Sequence, residues 1–393
     1  MSRSKHRNMK ICCITTIDAT LSAFVTEAMK LFVEEGHEVT LVSTMTEDFI
    51  QTYKNTFRLI PIPMHRGISI KDILWMPLTF YRLFRKEKFD YIQYSTPNAS
   101  FYASIGAWLA KCPIRVYGQW GILYVGADGF MRRILKIIES LTCRLSTHIR
   151  PASQKNLDFA VLEGLYTREK AAIIGDGGTI GVDLTQFDIN KRNKFRNEVR
   201  KYYPILQRRT VFCSVGRLNR DKGCFELLEA FLRMASERDD VALLMIGSKE
   251  TKSLPTHFQE KVKSCPRIVF TGHSDKVAQL LSASDVLVHP SYREGFSMVI
   301  QEGMAMALPV LTTNIPGPSE VIENDVTGLL VEPRNAEALY EGMKQIIADP
   351  ERMRAMGQAG LERCKRLFRR ERMLQLTYED RMKIIHESKN ITN

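Results

Sequence analysis

Apolar residues recur along this chain with two alternating periods. Short runs such as KICCIT (10–15), VALLMI (241–246) and VLVH (286–289) are continuous apolar blocks, as in strands buried on both faces. Between them lie longer stretches in which apolar residues return every three or four positions, as in helices with one buried stripe. The opening predicts a strand over 10–15, a Ser/Thr/Asp turn, a helix from about 21 to 35 closed by Gly36, and a second strand at HEVTLVS. Helices over 71–88, 99–111 and 130–146 then alternate with strands over 91–94 and 114–117. A second series starts at VFCSVGRL (211–218). It predicts strands 211–215, 241–246, 268–271, 286–289 and 310–313 with helices 223–237, 275–283 and 297–307. A charged amphipathic tail is predicted over 336–348 and 350–386. Strand–helix–strand repeats of this kind build parallel sheets covered on both faces, an α/β fold.

Between the two series, GDGGTIGVD (175–183) places four glycines in nine residues, a density that no helix or strand carries. It is read as the interdomain linker. The expected domains are 1–180, 181–370 and a C-terminal helix over 371–393. A chain of 393 residues, 44% hydrophobic and 25% charged, has enough apolar area for two cores and is not disordered, collagen-like or coiled-coil.

The net charge of +12 suits an anionic partner: nucleic acid, a membrane surface or a phosphorylated substrate. Residues 1–185 hold 23 basic and 17 acidic side chains, and the remainder hold 33 and 27. With that even spread and no recognised nucleic-acid module, no nucleic-acid partner is expected. The eight cysteines are scattered, without a CxxC pair, which reads as a reduced, cytoplasmic protein with no disulfide framework or zinc site. The opening MSRSKHRNMKICCITTID is basic and then apolar, like a leader, but Asp18 interrupts it and no small-residue cleavage site follows. The longest uncharged run, 91–110, is too polar to cross a bilayer.

Two stretches carry the candidate chemistry. In HPSYREGFSMVIQEGMAMALPVLTT (289–313) a strand ends at Pro290, a loop carries Arg293, Glu294 and Gly295, and a helix starts near Ser297. The amide-rich start of a helix suits a phosphate. Glu294 lies just before that helix and Glu302 within it, so their carboxylates can accept hydrogen bonds from a sugar and a ribose flanking a diphosphate. Read alone, the stretch equally fits an ordinary exposed Glu302 and a Glu294 that favours the helix dipole. In SVGRLNRDKGCFELLEAF (214–231) a strand ends at Val215, Gly216 turns the backbone, and Arg217 and Lys222 stand at the mouth of the next helix. Two cations there make a diphosphate clamp, Arg as a fork and Lys as a point charge.

Together, GRLNRDKG (216–223) and EGFSMVIQE (294–302) resemble the paired motifs of the retaining glycosyltransferases of family 4. The stretches 271–291 and 307–333 match that family's donor-domain pattern, and the resemblance covers roughly 205–350. It implies a GT-B fold: two Rossmann-like αβα domains with parallel sheets facing a central cleft, and a C-terminal helix crossing back onto the first domain. It implies that Gly216, Arg217 and Lys222 hold the donor diphosphate. Glu294 would meet the hydroxyls of the transferred sugar, with Gly295, Phe296, Ser297 and Met298 behind it. Glu302 would bind the ribose, and Gly247, Phe270 and His273 would border the base. Catalysis would fall to Glu294, Arg217 and Lys222 without a metal or other cofactor. The donor would be a nucleotide sugar, chiefly a UDP-sugar, and a hexose or N-acetylhexosamine would pass with retention to a saccharide or lipid-linked saccharide in surface polysaccharide biosynthesis. A sugar-nucleotide epimerase, a phosphorylase and a non-enzymatic basic scaffold are the alternatives.

The first domain departs from the pattern. Many relatives carry His-Gly where this chain has Gln119-Trp120-Gly121, so a catalytic histidine is not expected there, and Gln119 with Trp120 become the acceptor-side candidates. His148 before a strand-like segment reads as structural. The turn TTIDATL (15–21) makes Asp18 and Thr20 candidates for a phosphate or acceptor, or else helix N-caps. Two segments, 71–90 and 130–150, interleave cations with large apolar groups and suit contact with the cytoplasmic face of an anionic membrane.

Overall fold

The computed structural model describes residues 8–248 and 256–392, so the basic opening 1–7 lies outside the described residues. The chain divides into two compact units, 1–180 with 373–393, and 181–372. Each is built on a six-stranded, all-parallel sheet.

In the first unit the strands are β1 (Lys10–Ile17), β2 (Glu38–Thr44), β3 (Arg58–Pro61), β4 (Tyr91–Ser95), β5 (Ile114–Gln119) and β6 (His148–Pro151), in the order β3-β2-β1-β4-β5-β6. Six consecutive positions of β1, Ile11–Thr16, are buried, which is why that strand reads as an unbroken apolar block. Phe80 and Phe84 of helix Ile70–Glu87 and Tyr102 of helix Pro97–Leu109 fill one face. Leu21, Phe32, Ile384 and Ile385 fill the other. The last two come from helix Arg370–Thr392, which is tied to this unit by an ion pair from Arg150 Nε to Asp380 at 2.8 Å and by Arg381 donating to Gln93.

In the second unit the strands are β7 (Thr210–Val215), β8 (Val241–Ile246), β9 (Ile268–Gly272), β10 (Val286–His289), β11 (Val310–Thr313) and β12 (Gly328–Val331), in the order β12-β11-β10-β7-β8-β9. Read from the opposite edge, this is the order of the first sheet. The order reverses between β7 and β10, and open parallel sheets of this kind take ligands beyond the strand ends at such a switch point.

Two expected helices come out differently. The predicted helix 21–35 starts earlier and divides into Asp18–Phe24 and Thr26–Glu34. Thr26 Oγ1 donates back to the Ser22 carbonyl at 3.2 Å, a bond that bends helices. The first helix is capped at Ile17, with neither Asp18 nor Thr20 as its N-cap. The predicted 350–386 helix breaks after Leu367, because Phe368 turns inward against Phe296 and the backbone around it bonds Val182. The pattern also passed over β3, β12 and the helix Arg192–Tyr202. That helix has no buried residue and is held by Arg196 and Arg200 on the Asp285 carboxylate, at 2.7 and 2.8 Å.

Candidate active site

The switch point of the second unit brings together the loops that follow β7 and β10. After β7, Asn219 caps a short turn, Arg220–Lys222, by accepting from the Lys222 amide. Gly223 then enters helix Cys224–Glu237 at φ +65°, and a side chain there would run into the Pro290 carbonyl, 2.0 Å from an added Cβ. The two loops therefore touch through backbone, which only glycine permits. They are also pinned by side chains. Arg293 pairs with Asp221 at 2.9 Å, the Tyr292 amide donates to the Asp221 carbonyl, and the Tyr292 hydroxyl donates to Glu226.

At the centre is Glu294. Its Oε1 receives the Lys222 ammonium, His289 Nε2 at 3.0 Å and Ser291 Oγ at 3.0 Å. Burial alone would raise this carboxyl. The Lys222 charge and the hydrogen bond from His289 overcome that and hold it well below the usual carboxylate range. Glu294 is thus a fixed anion. Ser297 caps the helix Met298–Ala305, its Oγ accepting from the Ile300 amide. Glu302 lies one turn along that helix. Burial pushes its carboxyl up to about 7, against the lowering influence of Arg370.

The structure brings Lys222, Glu294, Ser297 and the start of helix 298–305 into one group. Arg217 is exposed in the loop directly after Gly216. Gly247 stands at φ +139° against Gly216, its amide bonded to the Gly272 carbonyl. Gly295 and Phe296 are buried, Met298 and Phe270 are half-buried, and His273 is 83% exposed beside Asp275. Sequence reasoning missed His289 and Ser291, and gave Asp221 no role. Their one signal was a polar cluster immediately after an apolar strand. Among the described residues, no three His, Cys, Asp or Glu side chains gather in a way that could hold a metal ion.

The candidates in the first unit fare differently. Gln119 is only 1% exposed, and its amide is already used: Nε2 donates to Glu139 at 2.6 Å and Oε1 accepts from Tyr166 at 2.9 Å. Its side chain faces the interior of the first unit. Trp120 packs its ring 5.3 Å from Phe24. Asp18 accepts from the amide and hydroxyl of Thr46, both at 2.6 Å, while Thr20 is half-buried on the same helix. His148 is bonded to Thr147 at 3.0 Å, and burial lowers its imidazole.

Residues 195–363 match the family described as glycosyl transferases group 1. The chain carries a glycosyl transferases group 1 domain. The glycosyltransferase is 28% identical over 363 residues to the capsular polysaccharide biosynthesis glycosyltransferase CapM of Staphylococcus aureus, spanning 92% of this chain and 94% of that protein. It is 22% identical to the Escherichia coli UDP-Gal:alpha-D-GlcNAc-diphosphoundecaprenol alpha-1,3-galactosyltransferase, over 88% of this chain and 90% of that one. Among solved structures it resembles Anabaena HepE, crystallised with UDP and glucose. That likeness has a TM-score of 0.79 at 17% identity and covers 96% of this chain and 100% of that one. At this identity the likeness concerns the fold, and the fold is GT-B.

Proposed function

We propose that this glycosyltransferase moves a hexose or N-acetylhexosamine from a UDP-sugar, with retention and without a metal, to a saccharide or lipid-linked saccharide of a surface polysaccharide. The observation that carries this reading is the meeting of Lys222, Glu294 and the start of helix 298–305 at the β7/β10 switch point. Lys222, Arg217 and the positive end of that helix supply positive potential for a departing diphosphate, fixed in place before the reaction. Glu294, ionised throughout the working pH range, accepts hydrogen bonds from sugar hydroxyls. Glu302 accepts from a ribose hydroxyl. The relatives support the substrate class, since one is named for UDP-galactose and a lipid-linked acceptor and another for capsule synthesis.

The same proposal places the protein on the cytoplasmic face of a membrane. Ile70, Leu74 and Trp75 on helix 70–87 are 76%, 68% and 58% exposed, and Phe130 and Ile137 on helix 129–145 are 77% and 68% exposed. The acids in those segments are engaged. Asp72 bonds His65, Glu87 pairs with Arg58, and Glu139 is buried. The exposed cations Lys71, Arg82, Arg85 and Arg133 therefore set the sign of these helix surfaces, which suits anionic lipid. No helix among the described residues is long and apolar enough to cross a membrane.

The test is UDP release from a panel of UDP-sugars with and without a lipid-linked saccharide. Acceptor-dependent release with an α-linked product supports the reading. Donor isomerisation without acceptor would identify an epimerase instead.

A further inference from the structure

His289 ends β10, and its side chain is 2% exposed. Nε2 lies 3.0 Å from Glu294 Oε1, 3.2 Å from Ser297 Oγ and 3.3 Å from Ser291 Oγ. A bare lone pair at Nε2 would oppose a carboxylate that stays ionised, so the ring proton sits on Nε2 and points at Oε1. The backbone that carries the ring is held in place, since Thr312 Oγ1 donates to the His289 carbonyl at 2.8 Å and Thr313 Oγ1 to the Ser291 carbonyl at 2.6 Å. Every other position of β10 is aliphatic, and an aliphatic residue would fill this one without the cost of burying a polar ring.

We propose that His289 is a positioning residue that holds the Glu294 carboxylate in one orientation toward the donor sugar. This rests on the reading of Glu294 as the sugar-binding carboxylate. Lys222 alone cannot fill the role. It is a flexible point charge with three donors, and a bound diphosphate draws it away from Glu294. His289 stands at the end of a strand and keeps Oε1 fixed whichever way Lys222 turns. Ser291 adds a second donor from the same loop.

The experiment compares wild type, His289→Leu, His289→Gln, Glu294→Gln and the double variant His289→Leu/Glu294→Gln. Each is titrated with UDP, UDP-glucose, UDP-galactose, UDP-N-acetylglucosamine and GDP-mannose, and each is melted. His289→Gln keeps an N–H at about the reach of Nε2, whereas His289→Leu keeps only volume. The inference expects His289→Leu to bind UDP like wild type but to lose about tenfold or more in affinity for, and turnover of, the preferred sugar nucleotide. It expects His289→Gln to recover most of that loss and the double variant to be no worse than Glu294→Gln. If Glu294→Gln loses sugar-nucleotide affinity while His289→Leu keeps it, the role of His289 falls and that of Glu294 stands. If Glu294→Gln behaves as wild type, the sugar reading of Glu294 fails and takes the inference with it. A parallel loss of UDP affinity and melting temperature in His289→Leu would mark a merely structural residue and also overturn the proposal.

Discussion

The Lys222 ammonium rests on Glu294 Oε1, joining two loops whose contacting residues are 72 positions apart in sequence. Both side chains are largely withdrawn from water, at 28% and 16% exposed, so the pair is screened less than a surface salt bridge. It has two consequences, one for stability and one for turnover. Glu294 is a carboxyl lowered by folding, so its contribution to stability is present above the ordinary carboxylate pKa and is lost as acid protonates it. Lys222→Ala is expected to lower the unfolding free energy at pH 7 by about 1–3 kcal/mol, with the gap to wild type closing below about pH 4. Denaturant melts at the two pH values check this. Turnover should fall by about 100-fold or more, since a donor aimed at developing charge is lost.

Gly223 is the hinge on which the two loops meet. Gly223→Ala would set a Cβ 2.0 Å from the Pro290 carbonyl at a backbone angle of +65°. The loops must part to admit it. The expected result is a loss of about 1–3 kcal/mol in stability and weaker UDP binding, read by calorimetric titration. A change to alanine at Gly67, where nothing lies within 4 Å of an added Cβ, carries the backbone strain alone and serves as the control.

Glu139 in the first unit is a buried acid without a cation beside it. Burial pushes its carboxyl up to about 7, and the hydrogen bonds from Gln119 and Tyr117 only partly offset this. A raised acid favours the folded state below its ordinary pKa, and that advantage is lost as pH rises through about 7. Glu139→Gln keeps an oxygen for Gln119 and never ionises. Relative to wild type it should therefore gain stability between pH 5 and pH 8, by on the order of 2–3 kcal/mol, measured as unfolding free energy at each pH.

Trp75 and Phe130 present large apolar rings to solvent beside cations. If that face lies on anionic lipid, Trp75→Asp and Phe130→Asp should each reduce binding to phosphatidylglycerol vesicles by about tenfold or more, because a buried aromatic contributes about 1.5–3 kcal/mol. Sedimentation with those vesicles, against phosphatidylcholine vesicles as control, reads the effect. Neither residue belongs to the unit that carries the β7/β10 loops, so UDP binding should be unchanged.

The central strands were legible in the sequence because they are apolar on both faces. VALLMI and VLVH begin and end as β8 and β10 do. The edge strands β3 and β12 were not legible. Each is four residues long and partly exposed, so neither leaves an apolar run. Helix 192–202 was invisible for a related reason: arginines bonding Asp285 hold it, with no apolar stripe. In the candidate site, the motif residues Lys222 and Glu294 were legible by spacing. His289 was not, because a histidine closing an aliphatic strand looks like any buried core residue until its nitrogen is found on a carboxylate. Gln119, the last residue of β5, was read as an acceptor-side candidate, and strand alternation turns its amide toward Glu139 and Tyr166.

The most direct test of the donor site is a crystal structure of the protein with UDP bound. The account predicts the diphosphate beside Lys222 Nζ, the Arg217 guanidinium and the first amides of helix 298–305, with the ribose hydroxyls on Glu302. UDP density elsewhere, with Lys222 still on Glu294 and the start of that helix unoccupied, would contradict it.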